Sequence, residues 1–175
     1  MKKALVVVDM QNDFIDGALG TKEAEQIVSD VAEYIKAVRA EGTPVLATLD
    51  THGENYMDTQ EGHFLPVKHC IRGSEGWKLN PQVEAALGEA PRLEKPVFGS
   101  LALPEKLTEL CQGVPDEVEL IGLCTDICVV SNALILKAAF PETQVQVRSA
   151  LCAGVTPQKH DAALETMRSC QVKVI

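Results

Sequence analysis

A cysteine just beyond an apolar run is the side chain in this sequence best placed for chemistry. The segment Gly122-Leu123-Cys124-Thr125-Asp126-Ile127-Cys128-Val129 follows the run Val118 to Leu123 and leads into an apolar helical pattern from Val129 to Phe140. This places Cys128 at or near the first turn of a helix. Unsatisfied N–H groups there carry partial positive charge and favour thiolate over thiol, so Cys128 is a candidate nucleophile. Other reactive side chains also follow extended runs. Asp9 comes after Ala4 to Val8, Asp50 and His52 come after Val45 to Leu49, and Lys95 lies near a short extended stretch ending at Phe98. Each has a plainer reading: an aspartate after a strand often caps a turn, a lysine before proline is usually a solvated charge, and a lone histidine is commonly structural.

The elements that must position these groups alternate. Ala4 to Val8 reads as a strand, Ala24 to Ala40 as a helix with Ile27, Val31, Tyr34, Ile35 and Val38 on one face, and Val45 to Leu49 as a second strand. Strand, helix, strand implies a parallel unit. A long irregular stretch from Asp50 to Gly76 follows. Pro81 to Leu87 and Pro104 to Cys111 then read as short helices, 118 to 123 as a strand, 129 to 140 as a helix, Val145 to Val147 as a strand, 157 to 169 as a helix and Val172 to Ile175 as a last strand. Strands this apolar need helices on both faces, so the fold class is α/β, a three-layer Rossmann-like sandwich with a mostly parallel central sheet. Ligands of such sheets bind beyond the carboxyl ends of the strands, where the reactive residues fall.

Composition bounds the possibilities. The 175 residues, 46% of them hydrophobic, are expected to form a single domain spanning 1–175 with a sizeable core. A net charge of −9 with scattered lysines and arginines provides no footprint for nucleic acid. The apolar run after Lys2 and Lys3 is too short for a signal or membrane segment, so no membrane partner is expected. The six cysteines read as free thiols of a cytoplasmic protein.

Five segments, in order along the chain, carry a family resemblance: Val8-Asp9-Met10-Gln11-Asn12-Asp13-Phe14, Asp50-Thr51-His52, His69-Cys70-Ile71-Arg72-Gly73-Ser74-Glu75-Gly76, Lys95-Pro96-Val97-Phe98 and Gly122 to Val129. With them the chain resembles the isochorismatase-like cysteine hydrolases, and among these the nicotinamidases (pyrazinamidases). The resemblance implies a catalytic triad of Asp9, Lys95 and Cys128. Lys95 would favour the thiolate, and Asp9 would take the thiol proton and return it to the departing amine. It also implies a cis peptide between Leu123 and Cys124 and an oxyanion held by the backbone N–H groups of Cys124 and Cys128. The expected reaction converts nicotinamide to nicotinate and ammonia through a thioester. The Cys124 thiol itself reads as packing, with oxidation beside Cys128 as a further possibility.

Asp50, His52 and His69 make an oxygen and two-nitrogen set suited to a divalent metal, Zn²⁺ foremost, with Mn²⁺ or Fe²⁺ as alternatives. In relatives with this signature the metal holds the pyridine nitrogen. The resemblance favours Glu61 over His63 as a fourth ligand. Phe14 is the candidate to stack on a flat ring, while Trp77 and Phe98 read equally well as core. The chain departs from the family pattern in two places. Glu54-Asn55-Tyr56-Met57 stands where nicotinamidases often carry a Trp-His-Pro type sequence, and Arg148-Ser149-Ala150 replaces a common aspartate. Isochorismatase-type or N-carbamoyl amide hydrolysis is the competing activity, and a non-catalytic member would be expected to have lost a triad residue. The apolar surface of the 129 to 140 helix would suit a homo-oligomer.

Overall fold

A computed structural model describes residues 1–175 and contains six strands: β1 (Lys3–Val8), β2 (Val45–Asp50), β3 (Arg92–Lys95), β4 (Glu117–Leu123), β5 (Gln144–Ala153) and β6 (Lys173–Val174). They form one sheet in the order β3-β2-β1-β4-β5-β6, and every pairing is parallel. All six residues of β2, and all but the first of β1 and β4, are buried. Such strands require cover on both faces. Seven helices flank the sheet: α1 (Asn12–Ile15), α2 (Lys22–Ala40), α3 (Gln60–Phe64), α4 (Pro81–Leu87), α5 (Leu103–Leu110), α6 (Val130–Ala139) and α7 (Pro157–Ser169). One core cluster lies under α2 and α4, and the other lies under α5, α6 and α7. No helix is long and apolar enough to cross a membrane.

The chain builds outward from β1 through β2 to β3, then returns to the other side of β1 for β4, β5 and β6. The direction reverses between β1 and β4, a topological switch point where such sheets open a crevice. Asp9 follows β1, and the turn carrying Cys128 follows β4, so the switch point lies between them.

Several elements differ from the sequence-based expectation for identifiable reasons. On α2 the deepest residues are Ala24, Val28, Val31, Ala32 and Ile35, while Ile27, Tyr34 and Val38 pack at the flank. Small alanines let that face approach the sheet. Strand β5 extends from Gln144 to Ala153 because the polar Arg148-Ser149 stretch lies where its register with β4 shifts, between Leu120 and Gly122. The two apolar halves are one bulged strand. Arg148 is occupied structurally, its Nε donating to Glu119 Oε1 at 2.7 Å and its guanidinium lying 4.5 Å from the Tyr34 ring centre. Strand β3 ends at Lys95 itself, not at Phe98. The stretch after β2 contains a 3₁₀ turn at Tyr56–Asp58 and α3, which Thr59 caps by accepting from the Gly62 N–H at 3.0 Å.

Gly122 lets β4 approach β1 at the switch point. Its φ is +113°, and a Cβ there would lie 2.2 Å from the Val8 carbonyl oxygen. Gly122→Ala is therefore expected to destabilise the fold by about 2–4 kcal/mol in denaturant unfolding. An unchanged midpoint would refute this reading of the glycine.

Candidate active site

Asp9, Lys95 and Cys128 meet at the carboxyl ends of β1, β3 and β4, with respective exposures of 0%, 1% and 5%. Asp9 adopts a left-handed backbone conformation with φ 47°, uncommon outside glycine. Its Oδ1 accepts from Thr48 Oγ1 at 2.6 Å, and Lys95 Nζ lies 2.7 Å from its Oδ2. Oδ2 is buried and has no hydrogen-bond donor beyond this ion pair, which leaves it an acceptor position to spare. Lys95 Nζ also donates to the Val97 carbonyl at 3.1 Å and lies 3.5 Å from both Cys128 Sγ and Asp50 Oδ1.

Cys128 lies within a single π turn, Thr125–Val129, which continues into α6. The Val129 N–H reaches back to the Cys124 carbonyl at 3.1 Å, and Asn132 Nδ2 donates to the Cys128 carbonyl at 2.8 Å. The Leu123–Cys124 peptide is cis, as the family resemblance implied. All six cysteines are unpaired.

The three groups act on one another's charge. Burial pushes the Cys128 thiol well above its usual pKa and Asp9 adds to this, with Lys95 opposing them. Burial also raises Asp9, against the pull of Lys95. Lys95 keeps its charge, because Asp9, Cys128 and Asp50 together outweigh the cost of burying it. Desolvation of the thiol outweighs the pull of Lys95.

A second group adjoins the first through Asp50. Its Oδ2 lies 2.9 Å from His52 Nε2 and 3.5 Å from His69 Nε2, and Glu61 Oε1 lies 3.7 Å from each of those nitrogens. The four donor atoms all fall within 4.8 Å of one another. Tetrahedral ligands bound at about 2.0–2.1 Å are roughly 3.3 Å apart, so the spacing suits a divalent metal. His69 Nδ1 donates to the Val67 carbonyl at 2.8 Å, which turns Nε2 toward the group as the atom that would ligate a metal. Although burial opposes it, hydrogen bonds from His52 and His69 hold Asp50 well below the usual carboxylate range. Glu61 belongs to this group; His63, two residues along α3, is exposed and outside it.

Phe14 is buried, with its ring centre 5.6 Å from that of His69. Trp77 packs against the core and donates its indole N–H to Thr51 Oγ1 at 2.9 Å, whereas Phe98 is 42% exposed and is not core. A cavity of about 620 Å³ opens beside His52 and Glu61. A larger one, about 690 Å³ between α4 and β3, is lined by neither group.

Several residues without an assigned role in the sequence reading hold this arrangement in place. Gln11 Oε1 accepts from the Asp50 N–H at 2.7 Å, and its Nε2 donates to the carbonyls of Asp50 at 2.9 Å and Trp77 at 2.8 Å. Asp13 Oδ2 accepts from the Cys70 N–H at 2.8 Å, fixing the loop next to His69. Gln11 and Asp13 lie within the Asp9 to Phe14 segment, so the signal was their nearness to Asp9. Tyr56, fully buried with its ring centre 4.8 Å from that of His52, gave no comparable signal within its irregular stretch.

Comparison with known proteins places this geometry in context. The nicotinamidase/pyrazinamidase of Mycobacterium tuberculosis is 30% identical over 185 residues, covering 99% of this chain and 98% of that protein. The crystal structure of the nicotinamidase/pyrazinamidase from Bacillus subtilis superposes with a TM-score of 0.84 at 29% identity, covering 99% of each chain. That of the Pyrococcus horikoshii pyrazinamidase in complex with zinc gives 0.79 at 28% identity, covering 100% of this chain and 99% of that one. Residues 3–175 match the isochorismatase domain. With nearly its whole length matched and an open parallel sheet like those of its relatives, this chain belongs to the isochorismatase domain family of hydrolases.

Proposed function

We propose that this chain, acting as one domain, is a nicotinamidase that hydrolyses nicotinamide to nicotinate and ammonia, with Cys128 as nucleophile. The observation that carries the reading is the position of Lys95 Nζ, 2.7 Å from Asp9 and 3.5 Å from both Cys128 Sγ and Asp50. One buried cation thereby joins a base, a thiol and a metal-type ligand group. The names of the relatives from Mycobacterium tuberculosis and Bacillus subtilis support the substrate.

Asp9 takes the Cys128 proton as sulfur attacks the carboxamide carbon, so the thiol need not be ionised at rest. Lys95 remains charged throughout and offsets the negative charge passing from carboxylate to sulfur. The backbone N–H groups of Cys124 and Cys128 receive the developing oxyanion. Protonated Asp9 gives its proton to the amide nitrogen, the C–N bond breaks, and ammonia leaves a thioester on Cys128. Asp9 then deprotonates a water, which attacks the thioester carbon; the C–S bond breaks, and Asp9 passes that proton to the departing sulfur, restoring carboxylate and thiol. A divalent ion held by Asp50, His52, Glu61 and His69 would supply a Lewis-acidic anchor for the pyridine nitrogen. Zn²⁺, the ion named with the Pyrococcus horikoshii relative, is the preferred identity. Phe14 closes the site beside His69, where a flat ring would rest. A homo-oligomer formed through the half-buried side of α6, in a cytoplasmic setting, completes the reading.

Cys128→Ala is expected to lower kcat by at least about 10³-fold in an ammonia-release assay while leaving the thermal unfolding midpoint nearly unchanged. Appreciable turnover by the variant would remove the mechanism. Metal analysis of the purified chain is expected to find about one divalent ion per molecule. Glu61→Ala should deplete that ion and His63→Ala should retain it; the reverse pattern would reassign the fourth ligand.

A further inference from the structure

We infer that the site accepts aromatic carboxamides carrying an apolar substituent on the ring, with the substituent seated against Phe64 and Phe98. This rests on the proposed amidase reading and extends it to a substrate class. The cavity of about 620 Å³ falls in the range of about 300–1,000 Å³ that holds drug-sized ligands, well beyond the needs of a single-ring amide. It opens from the metal-type group, with His52 and Glu61 in its wall, and Pro96, Val97 and Phe98, the residues that follow Lys95 in the chain, line it as well.

Its remaining walls are unusual for a protein surface. Phe64 is 84% exposed and Phe98 42%, and neither joins a core cluster, although large aromatic side chains are mostly buried. The backbone beneath each ring is fixed. The Phe98 carbonyl accepts from the fully buried Asn132 at 3.2 Å, and the Leu65 N–H, next to Phe64, donates to the Glu61 carbonyl at 2.8 Å. Both rings are thus presented to the cavity by anchored segments. Apart from His52 and Glu61 of the metal-type group, two polar residues line it, Thr59 and Gln60. Thr59 spends its hydroxyl on the Tyr56 carbonyl and the Gly62 N–H, which leaves the Gln60 amide as a polar group without a partner in the protein. Walls of this kind reward apolar area and at most one hydrogen-bonding atom.

Calorimetric binding to metal-loaded Cys128→Ala protein, which holds ligand without turning it over, tests the inference with nicotinamide and a ring-propyl nicotinamide. The propyl compound is expected to bind about tenfold tighter, about 1.4 kcal/mol. Adding Phe64→Ala should abolish most of that gain; at 84% exposure its truncation leaves the fold unstrained. Equal or weaker binding of the propyl compound, or a gain that survives both Phe64→Ala and Phe98→Ala, overturns the inference. Ammonia release from nicotinamide by the unmodified chain is read separately. Turnover without a propyl gain removes the pocket and leaves the proposed function standing. A propyl gain without turnover keeps the pocket and removes the function.

Discussion

The ammonium group of Lys95, buried at 1% exposure, is the constraint around which the site is arranged. An ion taken out of water costs several kcal/mol unless its partners are close and well placed. Here Asp9 supplies the nearest opposite charge, Asp50 a second, and the Val97 carbonyl accepts a hydrogen bond. Removing Asp9 would leave a buried cation short of its main partner. The same contacts that make the lysine tolerable fix Asp9 beside Cys128 and tie both to the group formed by Asp50, His52, Glu61 and His69. Stability and chemistry share one set of distances.

The sheet makes that meeting possible. Its order changes direction at β1, so β1 and β4 end side by side with Asp9 and the Cys128 turn in the crevice between them. Lys95 comes from β3, two strands away, and its long side chain spans the end of β2, which contributes Asp50. Thr48, one turn of the pleat before Asp50, faces the same way and hydrogen-bonds Asp9. Four parallel strands thus each deliver one part of the site from a common edge, and the loop containing His69 is pinned back against them by Asp13.

Much of this was legible from residue types. Unbroken apolar runs such as Ala4 to Val8 announced buried parallel strands, and polar residues at their ends marked the site. Less was legible where local pattern and tertiary role part company. Polar Arg148 and Ser149 hid a bulge inside one continuous strand, and alanines on α2 lay deeper than the larger residues whose spacing suggested the buried face. The opposing pulls on the Cys128 thiol were only half visible for a similar reason. A helix start and a nearby lysine are visible in sequence, whereas complete desolvation is a property of the packed site. Gln11 and Tyr56 likewise act through contacts with later segments, at Asp50 and His69, which no local spacing encodes.

In the proposed mechanism Cys128, deprotonated by Asp9 as it attacks, passes through a covalent intermediate. Rapid quenching of the enzyme during turnover of nicotinamide, followed by mass spectrometry of its cysteine peptides, tests this directly. The Cys128 peptide should carry the added mass of a nicotinoyl group, while the peptides bearing Cys70, Cys111, Cys124, Cys152 and Cys170 stay unmodified. Steady turnover with no acyl group on Cys128, or with the group on another cysteine, would contradict the role assigned to that thiol.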